Sequence, residues 1–540
     1  MHPPALLDGN QLPSRAPTAS RVERDALWPV WLAASLPIVA FLLEGHIGFG
    51  KTDEGFLWYG AQRVLAGEVP VRDFQAYDIG RYYWCAAWML IEGSQGIVAM
   101  RLADSILAAC TVAMAIALLR STRLLRPLWV ALAAVTLTVW MVPEYKVADS
   151  FAAVLLLVGM TRLLIDPGAR GASIFGLCLG IAATIGINHA LYGTIAGLFA
   201  YAYLHLKGRH PFVSRGVAGL VAGTIVGYAP VLFCFVAVPG FAMGFIDSIR
   251  QILESGTTNV ALPIPSALTV FDRGSAAFVG ALRDSTMGFL FIAVPLFLTV
   301  CLWQVSRRRD SGTAILSPAV SPVFIAAVLL GIPYAHYAYS SYGTMHIAVS
   351  GLLVLFALWA YPGLDDKVFG VRRGPAQVAV FVCTLFLLLH AHSGYPALRG
   401  RSLEPVVVMG DTLRVEPPRA KELALVKHMT DDFPGQSFFA AHDWPGAYAT
   451  VGQRAPNWEI YQIFSSRPER QQREIERIVA ADPRFVILTY GNPAELIEGL
   501  EQSHPLILRY VEQCFDEQPS PVEVPYVRVF VAHEHGCAPH

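Results

Sequence analysis

The chain has 540 residues, of which 54% are hydrophobic and only 15% charged, with a mean hydropathy of +0.47. Water-soluble domains carry about 25% charged residues, so this composition excludes an ordinary soluble enzyme and describes an integral membrane protein. Forty Lys and Arg against 41 Asp and Glu leave a net charge of -1, and with no basic excess nucleic-acid binding is excluded.

Residues 1–25 contain Pro, Ser and Arg but no apolar run, which predicts a disordered cytoplasmic tail and no cleavable signal peptide. A hydrocarbon core about 30 Å thick needs roughly 20 apolar residues of helix. Stretches of that kind occur at 26–45, 97–119, 127–142, 150–165, 172–187, 190–206, 214–238, 286–305, 315–334, 344–361 and 375–392. The expected fold is therefore an α-helical polytopic membrane protein with about 11 transmembrane helices, in a domain spanning 26–394. Basic residues concentrate on the side of the N-terminal tail, Arg120, Arg123 and Arg126 among them. By the positive-inside rule that side is cytoplasmic, and an odd number of spans leaves the C-terminus outside.

Two external segments are long, 48–96 and 240–285. The second is too long for a simple connection and is expected to cover a donor or acceptor entrance. Residues 395–540 differ in texture. PPRAKELALVKHMTDDF and SRPERQQREIERIVAADP have helical periodicity, whereas SFFAAHD, RFVILTY, LILRYV and VRVFVAH read as strands, predicting a small extramembrane α/β domain. No internal repeat is evident. The eight cysteines lack CxxC spacing; most sit in apolar runs, while Cys514 and Cys537 are a candidate pair in an oxidising compartment.

Charged and strongly polar residues beside membrane spans are candidates for function, and here they fall on one side. The outward connections carry Lys51-Thr52-Asp53-Glu54, then Tyr77-Asp78-Ile79-Gly80-Arg81, Pro143-Glu144-Tyr145-Lys146, Asn188-His189, and a late segment from His336 to His346. Together they supply carboxylates, cations and imidazoles, which suits a general base with an anion-binding pocket. Structural alternatives stand beside each. Asp53 and Glu54 suit the first turn of a helix, Asp78 and Arg81 suit a loop ion pair, Lys146 suits snorkelling, and the histidines suit helix interfaces. HEHG at 533–536 and Ala441-His442-Asp443 lack the further ligands a metal needs. No metal residue is assigned and no cofactor is specified, with a divalent metal left open.

The string DEGFLWYGAQRVLAGEVPVRDFQAYDIGRYYW after the first span resembles the first external loop of the C-type (GT-C) polytopic membrane glycosyltransferases. The likeness is to the protein mannosyltransferase and aminoarabinose transferase-like bacterial members. Asp53-Glu54 match the acidic motif, and Gly67, Pro70, Arg72, Asp73 and Phe74 match its turn. The chain departs from the pattern at Asp78-Ile79-Gly80, where relatives carry a proline-glycine turn, and at Ser341–His346, where many carry Arg-Asp. The resemblance implies a polyprenyl-phosphate sugar donor and a glycan, lipid or protein acceptor at the outer face of a bacterial inner membrane, with membrane lipid as surroundings. It implies Asp53 as base, Glu54 or Asp78 as its partner, and Arg81, Lys146, Asn188, His189, His336 and His346 as substrate contacts. The alternative from the residues is a transporter or flippase of a lipid-linked saccharide, which should carry ionisable groups near mid-span. A third reading, a structural assembly subunit, leaves the polar residues unexplained.

Overall fold

The computed structural model describes residues 27–533 apart from 77, 122–126, 209–213, 257–258, 261, 273–277, 308–320, 341–343, 362–366, 369–370 and 490–498. Among the described residues each apolar stretch named above contains a helix. These are α1 (Trp28–Glu44), α4 (Ile97–Arg120), α5 (Pro127–Val139), α6 (Val147–Ile165), α7 (Ala169–Ile185), α8 (Ile187–Leu206), α9 (Ser214–Ala237), α11 (Phe278–Arg307), α12 (Pro322–Ser340), α13 (Thr344–Trp359) and α14 (Arg373–Leu388). By length and composition five helices are able to cross a membrane: Ile97–Arg120, Glu144–Ile165, Ser214–Ala237, Phe278–Gln304 and Pro322–Ser340. That is fewer than the expected eleven because five of the other apolar helices run to fewer than eighteen residues.

Burial separates the helices into an inner group and an outer one. Helices α6 and α12 pack on most sides, whereas Val221, Ile225, Phe233 and Val236 of α9 and Phe289, Ile292 and Leu296 of α11 are exposed. Apolar residues all round a helix, with one face uncovered, are what a lipid surround stabilises. Helices α7 and α9 approach to backbone contact. A Cβ on Gly223 would lie 2.1 Å from the Ser173 carbonyl oxygen, and one on Gly176 2.1 Å from that of Leu220. Small residues at such crossings replace the hydrophobic driving force that lipid cannot supply.

The segment 48–96 folds as two helices, α2 (Asp53–Leu65) and α3 (Gly80–Glu92), and α2 is buried over most of its length. The segment 240–285 is largely helical where the sequence suggests a loop. It contains α10 (Phe241–Ser255) and a helical turn at Thr269–Asp272. The amphipathic sequence FAMGFIDSIRQILES accounts for α10: Phe241 and Ser248 are buried, while Met243, Ile246 and Leu253 stay exposed.

The C-terminal part opens with a hairpin, β1 (Glu404–Val408) and β2 (Asp411–Val415). Its two-residue turn, Met409-Gly410, has positive φ at both positions, the geometry that matches strand twist in tight hairpins. Beyond it lie α15 (Pro417–Asp432), α16 (Gly446–Val451), α17 (Pro468–Ala481) and α18 (Pro505–Cys514), with a four-stranded sheet of β3 (Phe438–Ala441), β4 (Phe485–Thr489), β5 (Phe515–Gln518) and β6 (Val527–Ala532). Its order is β3-β4-β6-β5; β3 and β4 are parallel, and β6 is antiparallel to both neighbours. Three of the predicted strands lie in β3, β4 and β6. LILRYV is a correction: it lies in α18. Pro505 occupies the first turn, where its fixed φ favours a helix, and Ile507, Tyr510, Val511 and Cys514 recur at helical spacing on the buried face. Cys514 is disulfide-bonded; Cys537 lies outside the described residues.

One hydrophobic core unites α2, α3 and the start of α4 with the C-terminal strands and helices. Trp58, Tyr59, Phe74 and Tyr82 pack with Trp444, Tyr448, Phe438 and Phe485. The α2–α16 crossing is so close that a Cβ on Gly55 would lie 2.5 Å from the Gly446 Cα.

Candidate functional site

At the end of α1 the chain turns sharply into α2, and Arg101 from the first turns of α4 holds that turn. Its guanidinium donates to the carbonyls of Gly45 (2.9 Å), Ile47 (3.2 Å) and Gly48 (3.0 Å). It also makes a two-pronged pair with Glu54, Nε to Oε1 at 2.7 Å and Nη2 to Oε2 at 3.0 Å. Glu54 Oε2 in addition accepts the Gly50 amide at 2.7 Å. Glu54 is thus consumed in building the start of α2. Its neighbour Asp53 is half-buried in the same turn and has no hydrogen bond or ion pair among the described residues.

Behind this turn lies a cavity of about 30 Å³ lined by Glu44, Arg101, Asp104, Glu144 and His392. Glu44 Oε1 pairs with His392 Nδ1 at 2.9 Å, and the Ser393 hydroxyl donates to Glu144 at 3.2 Å. The buried Asp104 Oδ2 has no partner among the described residues.

The second cluster is centred on Asp149, in the first turn of α6. Its Oδ1 accepts from Arg81 Nη2 at 3.0 Å and from His189 Nε2 at 2.9 Å, and the Tyr337 hydroxyl approaches Oδ2 at 3.4 Å. His189 Nδ1 meets the Tyr334 hydroxyl at 2.8 Å, and the Tyr192 hydroxyl meets His336 Nδ1 at 3.0 Å. Arg81 also donates to the Ile185 carbonyl at 3.0 Å and lies 3.7 Å from Asp78. Asp78 Oδ1 accepts the Ile187 amide at 3.1 Å. Burial pushes the Asp78 carboxyl up to about 6, against the pull of the Arg81 guanidinium.

Lys146 ends the short turn Glu144–Lys146 that leads into α6, and that turn packs against α2. Its ammonium has no ion pair among the described residues, although Asp149 follows one helical turn later. Asn188 is half-buried at the start of α8 and has no hydrogen bond among the described residues. The side chain of His346 lies outside the described residues. Among the described residues no group of three or more His, Cys, Asp or Glu is arranged to hold a metal ion. Asp443 is taken up by the Thr489 hydroxyl at 2.8 Å and faces Lys51 at 3.9 Å.

Asp53, Glu54 and Lys146 therefore lie around α2, while Asp78, Arg81 and His189 meet at Asp149, with His336 linked to that cluster through Tyr192 and its ring contact to Tyr337. The contacts join the ends of α1, α7, α12 and α14 to the starts of α4, α6 and α8. The polar groups thus share one end of the bundle. Sequence reasoning missed Asp149 because the span was drawn from residue 150, one position too late. It also missed Arg101. The available signal was a charge in the opening turns of an apolar helix.

No family model matches the chain, and no curated protein matches it. The chain is similar in structure to an oligosaccharyltransferase and an arabinosyltransferase. The Archaeoglobus fulgidus oligosaccharyltransferase tethered to an acceptor peptide containing the NVT sequon matches at 11% identity and a TM-score of 0.41, over 94% of this chain and 74% of that one. Its apo form matches at 12% and 0.42, over 86% and 69%. Arabinosyltransferase EmbB from Mycobacterium smegmatis matches at 14% and 0.34, over 73% of this chain and 39% of its own.

Proposed function

We propose that this protein is a GT-C-type membrane glycosyltransferase that moves a sugar from a polyprenyl-phosphate donor to an acceptor hydroxyl at the outer face of a bacterial inner membrane. The observation that carries the reading is the contrast at the start of α2. Two adjacent carboxylates face different fates there: Glu54 is locked by Arg101, and Asp53 is left unpaired. Beside α2 lies the turn that ends in the unpaired Lys146. A carboxylate and a cation that carry no ion pair of their own among the described residues, on touching elements, are what transfer with inversion requires. The base takes the proton of the acceptor hydroxyl as its oxygen bonds the anomeric carbon. The bond from that carbon to the phosphate oxygen breaks, and the leaving polyprenyl phosphate keeps the electron pair.

In this reading Lys146 neutralises the leaving phosphate. Arg81 is already balanced by Asp149 and Asp78, so with His189 it positions the pocket wall, and Asn188, His336 and His346 contact donor or acceptor. Some eleven crossings put the N-terminal tail in the cytoplasm and the site and the C-terminal domain in the periplasm. The polar residues of α4, α6 and α8 sit in the opening turns of their helices, which favours surface chemistry over a transport path through mid-span.

The test is mass spectrometry of polyprenyl-phosphate sugars incubated with the protein in liposomes and an acceptor extract. Wild type is expected to release free polyprenyl phosphate and Asp53→Asn to release none, with unchanged folding. Normal turnover by that variant would remove Asp53 as base, and intact donors with wild type would favour the flippase reading.

A further inference from the structure

A second, larger concavity lies outside the site, on the far side of α2. It has a volume of about 710 Å³, within the range of small-ligand sites, about 300–1,000 Å³. One wall is Arg72 and Asp73, from the turn that follows α2. The other is built by the C-terminal domain: Gly435–Ser437 before β3, Gln453–Trp458 after α16, and Arg477 with Ala480 and Ala481 at the end of α17. The lining meets α2 through Ala455, whose amide donates to the Tyr59 hydroxyl at 3.1 Å, six residues or about 9 Å along the helix from Asp53, so the cleft lies beside the proposed chemistry and does not contain it.

Its lining is polar in a particular way. The side chains of Gln436, Ser437 and Gln453 have no hydrogen bond among the described residues. Asn457 is 5% exposed; its Nδ2 donates to the Glu459 carbonyl at 2.6 Å, but its buried Oδ1 accepts nothing among the described residues. A buried acceptor of that kind costs about 1–3 kcal/mol unless a donor reaches it. Two guanidinium groups face the same space with donors to spare. Arg454 uses Nε on Glu68 at 3.1 Å, and Arg477 uses Nη1 on Glu474. Carboxamides and a hydroxyl suit ring hydroxyls, and spare guanidinium N–H groups suit carboxylate or phosphate oxygens.

We propose that this cleft binds an anionic saccharide and that it holds the acceptor chain, leaving the growing end free to reach α2. The acceptor role rests on the transferase reading above; the binding itself does not. Asn457 takes a sugar hydroxyl, Gln436 and Gln453 take others, and Arg454 and Arg477 hold the acidic groups. Because Arg72 and Asp73 come from the turn after α2 and the other lining residues from the C-terminal domain, a bound chain also bridges the two.

The experiment titrates the full-length protein in nanodiscs with oligogalacturonate, with malto-oligosaccharide of equal length, and with polyphosphate. Proteins compared are wild type, Arg454→Glu and Asp53→Asn. Arg454 is exposed, with 64% of its side chain accessible, so its replacement should cost little beyond the ion pair to Glu68 and leave the fold intact, which the unfolding midpoint measured alongside checks. Oligogalacturonate is expected to bind wild type and Asp53→Asn alike, to bind Arg454→Glu at least about tenfold more weakly, and to bind at least about tenfold more tightly than malto-oligosaccharide. Equal affinity for the neutral chain, equal affinity for polyphosphate, indifference to Arg454→Glu, or no binding would each overturn the proposal. Saccharide binding without transfer by wild type would sink the transferase reading and leave the cleft; transfer without cleft-dependent binding would do the reverse.

Discussion

Glu54 and Asp53 are adjacent carboxylates in one helical turn, and the structure predicts opposite consequences of removing their charges. Glu54 and Arg101 expose only 6% and 4% of their side chains. Glu54→Gln would leave a guanidinium buried without its counter-ion, and breaking such a pair from one side costs about 3–5 kcal/mol. Arg101 keeps its three carbonyl acceptors, which sets the expectation at the lower end, about 3 kcal/mol. Arg101→Met costs more, because it strands the Glu54 carboxylate and releases the carbonyls of Gly45, Ile47 and Gly48 together. Asp53→Asn breaks nothing and should stay within about 0.5 kcal/mol of wild type. Equilibrium unfolding in detergent or bicelles, read for the three variants under one condition, gives the order directly, and donor turnover per folded molecule is measured in parallel. The folded fraction of Glu54→Gln should keep turnover that Asp53→Asn lacks. Glu54→Gln as stable as wild type, or Asp53→Asn destabilised by several kcal/mol, would refute the division of roles between the two.

Gly55→Ala drives a methyl group to 2.5 Å from the Gly446 Cα and should cost about 1–3 kcal/mol as overpacking; faster proteolysis of residues after 400 than in wild type checks it, and unchanged cleavage would show that the two helices separate freely. Asp78 holds its proton more tightly when folded, with a pKa of about 6 against 3.8. The native state therefore binds more protons across that window, and Asp78 makes stability fall as pH rises from about 4 to 6. Asp78→Asn should flatten that limb of an unfolding midpoint measured against pH, and an unchanged slope would assign the limb to other groups. Lys146→Ala should raise the apparent KM for the lipid donor with little change in stability; an unaltered KM would take Lys146 away from the phosphate.

The helical architecture was legible because hydrophobicity over some twenty residues has few other physical causes, and among the described residues every apolar stretch from 26–45 to 375–392 contains a helix. The limits of the sequence appear where local pattern and tertiary context disagree. LILRYV has strand-like apolar density, yet Pro505 and the spacing of Ile507, Tyr510 and Val511 set a helix whose buried face only the sheet defines. The hairpin turn Met409-Gly410 was visible in principle, since Gly tolerates the positive φ it needs, but a neighbouring Met gives no such signal. The motif Asp53-Glu54 was readable as acidic; which of the two is free was not, because Arg101 reaches Glu54 across 47 residues of sequence.

Asp149 makes the same point from the other direction. A charge opening an apolar helix is expensive in lipid, and here its negative charge is matched by Arg81, drawn from α3, and by a hydrogen bond from His189 of α8. The segment 48–96 thereby becomes part of the bundle's end and is not an appendage to it. The C-terminal domain then closes over the same segment through Tyr59, whose hydroxyl accepts the Ala455 amide at 3.1 Å, and through Gln75, which bonds Trp458 and Tyr461 at 2.9 Å each. Helices α2 and α3 are thus held from both sides, by buried charge on the bundle side and by an aromatic core on the other. The proposed role of Asp53 on α2 depends on that rigidity, since a displacement of 1 Å is enough to cost a catalytic site about two orders of magnitude in rate.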